Sequence, residues 1–146
     1  MKQQNTFCNF LVYPIFLAIS MYAVSACADV VVVVSANSTV TRLTAEQVIN
    51  IFLGKTDIFP NGNSAVPIDQ AEGNPIREEF YSKIANKNPS QISAYWAKII
   101  FTGDGFPPKL LKDNMAVKKA VSDNPNAIGY IDKSVVDRSV RVILAP

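Results

Sequence analysis

Apolar positions along the chain follow two rhythms. Residues 30–34 are five valines in succession, the pattern of a strand buried on both faces, as in a parallel sheet covered by helices. Residues 44–53 switch to helical spacing. Val48 and Phe52, like Ile49 and Leu53, lie four apart and form one apolar stripe. Thr44 and Gln47 make a capping box, Leu43 and Val48 are placed to staple across it, and Gly54 supplies the stop. After a turn-rich connector over 55–64, Ala65, Val66 and Ile68 read as a second strand, and residues 69–73 as a polar turn. Asn74 is a good N-cap and Pro75 suits the first helical position. In the helix that follows, Ile76, Phe80 and Ile84 repeat every four residues toward the core, with Arg77 and Glu78 off that stripe.

Asn88-Pro89-Ser90 opens a further helix, with Ser90 as its cap and Ile92, Tyr95, Trp96, Ile99 and Ile100 as a broad apolar face. Trp96, mid-stripe, reads as a core residue. Residues 102–108 form a glycine- and proline-rich loop, and Asp113 or Asn114 caps a helix running through Val121. Val117 and Val121 face inward there, and Lys118 and Lys119 outward. Residues 128–131 and 140–144 are a third and a fourth strand. Strands alternating with helices predict an α/β fold: three α/β/α layers around a mainly parallel sheet, with room for a final antiparallel edge strand.

Composition separates the start of the chain from the rest. Residues 7–24 are apolar apart from Asn9, Pro14 and Ser20, and Ala26-Cys27-Ala28 offers the small-x-small pattern of a secretory cleavage site. The reading is a cleaved signal peptide over residues 1–28 and one domain over 29–146, periplasmic or secreted. The alternative is lipoprotein processing at Val24-Ser25-Ala26-Cys27, which would anchor the chain through a lipidated Cys27. Both cysteines, Cys8 and Cys27, fall in the leader, and the chain has no histidine. The domain therefore has no thiol nucleophile and no thiolate or imidazole metal ligand, and no cofactor is expected. A formal net charge of +2 gives no reason to expect a nucleic-acid partner.

The candidate chemistry lies where residues 65–81 pass from strand through a glycine-bearing turn into a helix N-terminus. Backbone N–H groups and the positive end of the helix dipole converge there, which is the physical recipe for holding an anion. Arg77 in the first helical turn hints at a negative partner, either a ligand or the carboxylate of Asp69 or Glu72. The loop Ser35-Ala36-Asn37-Ser38 ends the first strand, the position where open α/β sheets gather ligands. No nucleophile–base pair stands out by spacing. Asp69 and Glu72, read as an exposed turn, suit solvated carboxylates better than an enzyme's acid–base pair.

Leu43-Thr44-Ala45-Glu46-Gln47 with Ile51-Phe52-Leu53-Gly54-Lys55, and Asn124 through Ile131 as NPNAIGYI, resemble segments of the phosphate-binding proteins of ABC transporters, closest to short single-domain members of that family. The resemblance runs over about residues 30–144. It implies one lobe of a periplasmic binding protein, reversible binding of a small phosphate-like oxyanion, and contacts from Ser35, Asn37, Ser38, Gln70, Gly73, Asn74 and Arg77. Two departures accompany it. The family clamps its anion between two lobes, so a second lobe would have to come from a partner chain or a homo-oligomer. Where the family's helix starts Ser-Gly-Thr, this chain has Asn74-Pro75-Ile76, which removes hydroxyl donors. The resemblance thus implies weak oxyanion binding, or an envelope interaction or assembly protein built on a lobe that has lost its ligand. Whether transporter membrane components take part is left open by the sequence.

Overall fold

The computed structural model describes residues 29–146, so the expected signal peptide and both cysteines lie outside the described residues. The order is β1 (Val30–Ser35), α1 (Ala45–Phe52), β2 (Val66–Gln70), α2 (Pro75–Ala85), α3 (Pro89–Thr102), β3 (Lys109–Leu111), α4 (Asn114–Asp123), β4 (Ala127–Asp132) and β5 (Val140–Leu144), with a short 3-10 turn at Lys133–Val135.

The strands form one mixed sheet in the order β3-β2-β4-β1-β5. β2 runs parallel to both of its neighbours, pairing Ile68 with Lys109 and Val66 with Ala127. β1 runs antiparallel to both of its own, pairing Val30 with Asp132 and Val34 with Arg141. β5 forms the edge and pairs antiparallel with β1, but it runs in the same direction as β2, β3 and β4. The reversed strand is therefore β1, inside the sheet, and not the expected final edge strand. The five valines of β1 are buried on both faces as expected, but between antiparallel partners. Residues 133–139 carry the chain across β1 to reach β5, and Val135 and Val136 pack into the core on the way.

Alternate valines of β1 serve different cores. Val30, Val32 and Val34 join Phe52, Phe80, Ile92 and Trp96 beneath α1, α2 and α3. Val31 and Val33 join Val117 and Val121 of α4 on the other face. This division produces the three layers. Gly129 of β4 sets how close α4 can lie: a Cβ there would stand 2.7 Å from Val117 Cγ1 and 2.9 Å from Val121 Cγ2. On the opposite face Tyr130 stacks on Phe80, ring centroids 4.0 Å apart, and Phe52 meets Phe80 edge-on at 4.8 Å.

One local expectation is corrected, one element is added and one open choice is decided. β3 was not foreseen, because three residues after a proline-rich loop carry no readable period. α3 is capped by Asn88, not Ser90: Asn88 takes the Gln91 N–H, the Gln91 side chain returns to the Asn88 N–H, and Pro89 fills the first helical position. Asp113 caps α4, which leaves Asn114 free for another task. The capping box of α1 is present as expected.

Candidate functional site

β2 ends at Asp69 and Gln70, whose side chains leave the strand toward opposite faces. Both residues are buried, so the polar turn begins two residues later than the sequence suggested, and Asp69 is not a solvated carboxylate. Toward α2, Asp69 gathers donors from distant parts of the chain. The Tyr81 hydroxyl donates to it at 2.8 Å, the Tyr130 hydroxyl donates to it in a closer contact, and the Gln70 N–H donates at 2.7 Å. Arg77 Nε lies 3.4 and 3.5 Å from its two oxygens, while the guanidinium carbon sits 5.2 Å from the centre of the Tyr81 ring. Of the partners considered for Arg77, Asp69 is therefore the one in place. Arg77 itself is buried, not on the surface. Burial, and then the charge of Asp69, holds the hydroxyls of Tyr81 and Tyr130 far above the ordinary tyrosine value.

Toward α4, Gln70 is fully enclosed. Its amide nitrogen donates to Asn114 Oδ1 at 2.8 Å and to the Tyr130 carbonyl at 3.0 Å. Its amide oxygen accepts from Asn74 Nδ2 at 2.8 Å. Asn114 Oδ1 also takes the Asp132 N–H at 3.2 Å. Gln70 thus ties the carboxyl ends of β2 and β4 to the N-termini of α2 and α4. Asn74 caps α2 with its own side chain, Oδ1 accepting the Ile76 N–H at 3.0 Å. Gly73 makes the turn before it with φ +80, a backbone conformation that side chains rarely adopt.

Gln70, Gly73, Asn74 and Arg77 therefore come together around the start of α2. Ser35, Asn37 and Ser38 do not join them. β1 runs against β2 and β4, so Ser35 lies at the far end of the sheet, beside the start of β4. The length of β1 separates the two groups, roughly 17 Å at the usual strand rise. Ser35 Oγ donates to the Ser122 carbonyl and accepts the Asn37 N–H, both at 3.2 Å. Ser38 is buried, its Oγ accepts the Val40 N–H, and its carbonyl accepts from Arg141. Asn37 is exposed.

Tyr81 and Tyr130 complete the site and were not singled out from the sequence, and Asn114, read there only as a possible helix cap, joins them. One signal was available: Tyr81 follows Arg77 by one helical turn, the spacing at which helix side chains meet. A hollow of about 300 Å³ opens beside Arg77, between α3, β3 and the end of β2. Among the described residues no cluster of acidic side chains is set to hold a metal ion, and no helix is long and apolar enough to cross a membrane.

The fold has solved counterparts. A protein described as a phosphate ABC transporter substrate-binding protein from Clostridium perfringens, solved with bound phosphate, superposes with TM-score 0.60 at 24% identity, over 79% of this chain and 44% of its own. An ABC-type phosphate transport receptor from Vibrio cholerae gives 0.62 at 22% identity, over 79% and 45%. PstS from Borrelia burgdorferi gives 0.59 at 16% identity, over 79% and 46%. The chain thus spans a little under half the length of these structures. At these identities the likeness is one of fold, that of a binding-protein lobe. No protein-family model and no curated protein sequence matches the chain.

Proposed function

We propose that this chain is a periplasmic or secreted solute-binding-like protein, not an enzyme, that holds a small oxyanion such as phosphate weakly. The carrying observation is the convergence of the β2 end, the Gly73 turn, the start of α2 and the buried cation Arg77 in one place. A strand end and a helix N-terminus supply N–H groups and a positive dipole end for an anion. The same geometry explains why binding is weak. Asn74 Oδ1 occupies the Ile76 N–H, Pro75 has no N–H to offer, Gln70 is enclosed, and Arg77 shares its charge with Asp69. Calorimetry with inorganic phosphate on the secreted form of the chain tests this. The expected dissociation constant is about 1 mM or weaker. Micromolar binding by a monomer, or heat indistinguishable from dilution at tens of millimolar phosphate, would overturn it.

One observation favours a second reading, an envelope assembly protein built on a single lobe. Phe101 and Phe106 are 92% and 87% exposed, and Ile100 and Leu110 about half exposed, around the end of α3 and the edge strand β3. An open strand edge with apolar neighbours is a template for pairing, and its simplest occupant is a second copy. Sedimentation separates the readings: a dimer that Phe101→Ser with Phe106→Ser dissolves supports assembly, and a monomer at high concentration counts against it.

A further inference from the structure

The hollow beside Arg77 has a chemistry of its own. Trp96, Ile100, Pro107 and Leu110 form its apolar side. Arg77 forms its charged end, with a side chain only 6% exposed. Nε of that guanidinium is turned to Asp69, and the terminal amino groups have no hydrogen bond to any described residue. The ion pair and the Tyr81 ring fix the orientation of the guanidinium, so its free edge is presented to the hollow without further ordering. Trp96 supplies the indole face of that apolar side. Its Nε1 is buried and has no partner among the described residues. The other end of the indole is anchored, with Cη2 3.1 Å from where a Cβ on Gly54 would stand.

Guanidinium donors without acceptors, set beside an apolar wall, select a ligand with acceptor charge at one end and hydrocarbon at the other. We propose that this hollow is a binding site for a small monocarboxylate carrying a compact apolar group. Arg77 takes the carboxylate through its terminal amino groups, and the apolar group lies against Trp96 and Ile100. A guanidinium edge matches a carboxylate in a planar two-bond pair, which is the geometry that favours it over a compact tetrahedral anion. Asp69 behind Arg77 and Glu72 at the exposed rim place negative charge on either side, which disfavours dianions. The volume of about 300 Å³ suits a ligand the size of benzoate. The hollow opens toward α3 and β3 and shares Arg77 with the oxyanion reading, but it is argued from the apolar wall and the guanidinium edge, so it goes beyond that reading and does not depend on it.

Trp96 is the sole tryptophan of the chain, so its fluorescence reports occupancy directly. The full secreted chain is titrated with benzoate, with its neutral analogue benzamide, and with benzoate in the presence of inorganic phosphate. The same titration is run on Ala97→Phe, which fills the hollow from an exposed position on α3 and leaves the core untouched. The expected result is a saturable benzoate response with a dissociation constant of about 1 mM or tighter, and benzamide roughly tenfold weaker or more. The response should be lost in Ala97→Phe at unchanged melting temperature, and phosphate should compete only at the millimolar concentrations at which it occupies Arg77 itself. No saturable response, equal binding of benzamide, full binding by Ala97→Phe, or displacement by phosphate well below about 1 mM would each overturn the proposal. Failure of phosphate to bind in calorimetry, with benzoate still binding, would remove only the oxyanion reading.

Discussion

The Tyr130 hydroxyl of β4 donates to the Asp69 carboxylate of β2 inside the core, across a separation of 61 residues. With Tyr81 and the Gln70 N–H it makes Asp69 the buried acceptor on which α2, β2 and β4 converge. Removing one hydroxyl removes a hydrogen bond to a charged group. Tyr130→Phe and Tyr81→Phe should each lower stability by about 1.5–3 kcal/mol. The loss should be less than additive in the double variant, since both donate to one carboxylate. Urea unfolding of the three variants measures this.

The same hydroxyls predict an alkaline limit to stability. Their folded values are raised above the ordinary tyrosine value, chiefly by burial and then by Asp69. Folding therefore holds protons that the unfolded chain gives up near pH 10. The contribution is fully present below that pH and is lost as pH climbs beyond it. Denaturation midpoints should fall steeply above about pH 10. The slope should become shallower in Tyr81→Phe and shallower again when Tyr130→Phe is added. Identical slopes in wild type and double variant would rule out this origin.

Asp69 and Arg77 make a buried pair, and breaking it from one side leaves a charge without its partner. Asp69→Asn should cost about 3–5 kcal/mol. Asp69→Asn combined with Arg77→Met, which removes both charges, should recover much of that loss. A double-mutant cycle by chemical denaturation reads the coupling, and a double variant no more stable than Asp69→Asn would contradict it.

How far the sequence shows these relationships depends on where each partner lies. The capping box of α1 is legible because Thr44 and Gln47 stand three residues apart and satisfy each other. β1 is legible as a doubly buried strand because valine on every position leaves no polar face. Its antiparallel setting is not, since five valines carry no local signal of which way the neighbouring strands run. The Asn74 cap is legible for the same local reason as the α1 box. Asp69 is not, because its donors arrive from Arg77, Tyr81 and Tyr130, and nothing near Asp69 distinguishes a buried acceptor from a turn carboxylate. The grouping of Ser35, Asn37 and Ser38 with Gln70, Gly73, Asn74 and Arg77 assumed strands running in one direction. Reversing β1 relative to β2 places the first three at the opposite end of the sheet.

Gly129 within the AIGY strand is explained by the approach of α4. Gly129→Ala would place a methyl group 2.7 Å from Val117 Cγ1 and should cost about 1–3 kcal/mol through forced repacking. Val117→Ala in the same chain makes room for that methyl. The double variant should therefore be more stable than the sum of the two single losses predicts. Thermal unfolding of the four proteins checks the sign of the coupling, and simple additivity would show that α4 does not press on β4 at this position.

The last prediction bears on the start of α2. If an oxyanion binds there weakly because the chain caps itself, restoring donors should strengthen binding. Asn74→Ser with Pro75→Gly returns a hydroxyl and a backbone N–H to the first turn. Ile76 is left in place because its side chain is part of the core beneath α2. The variant loses the Asn74–Gln70 bond and the rigid proline start, so it should be less stable by about 1–2 kcal/mol. Its phosphate affinity should nonetheless rise by about ten- to a hundredfold, the gain expected from one or two added charge-assisted hydrogen bonds. Calorimetry on the two proteins side by side makes the comparison. A destabilised variant with unchanged affinity would place any phosphate bound by this chain somewhere other than the start of α2.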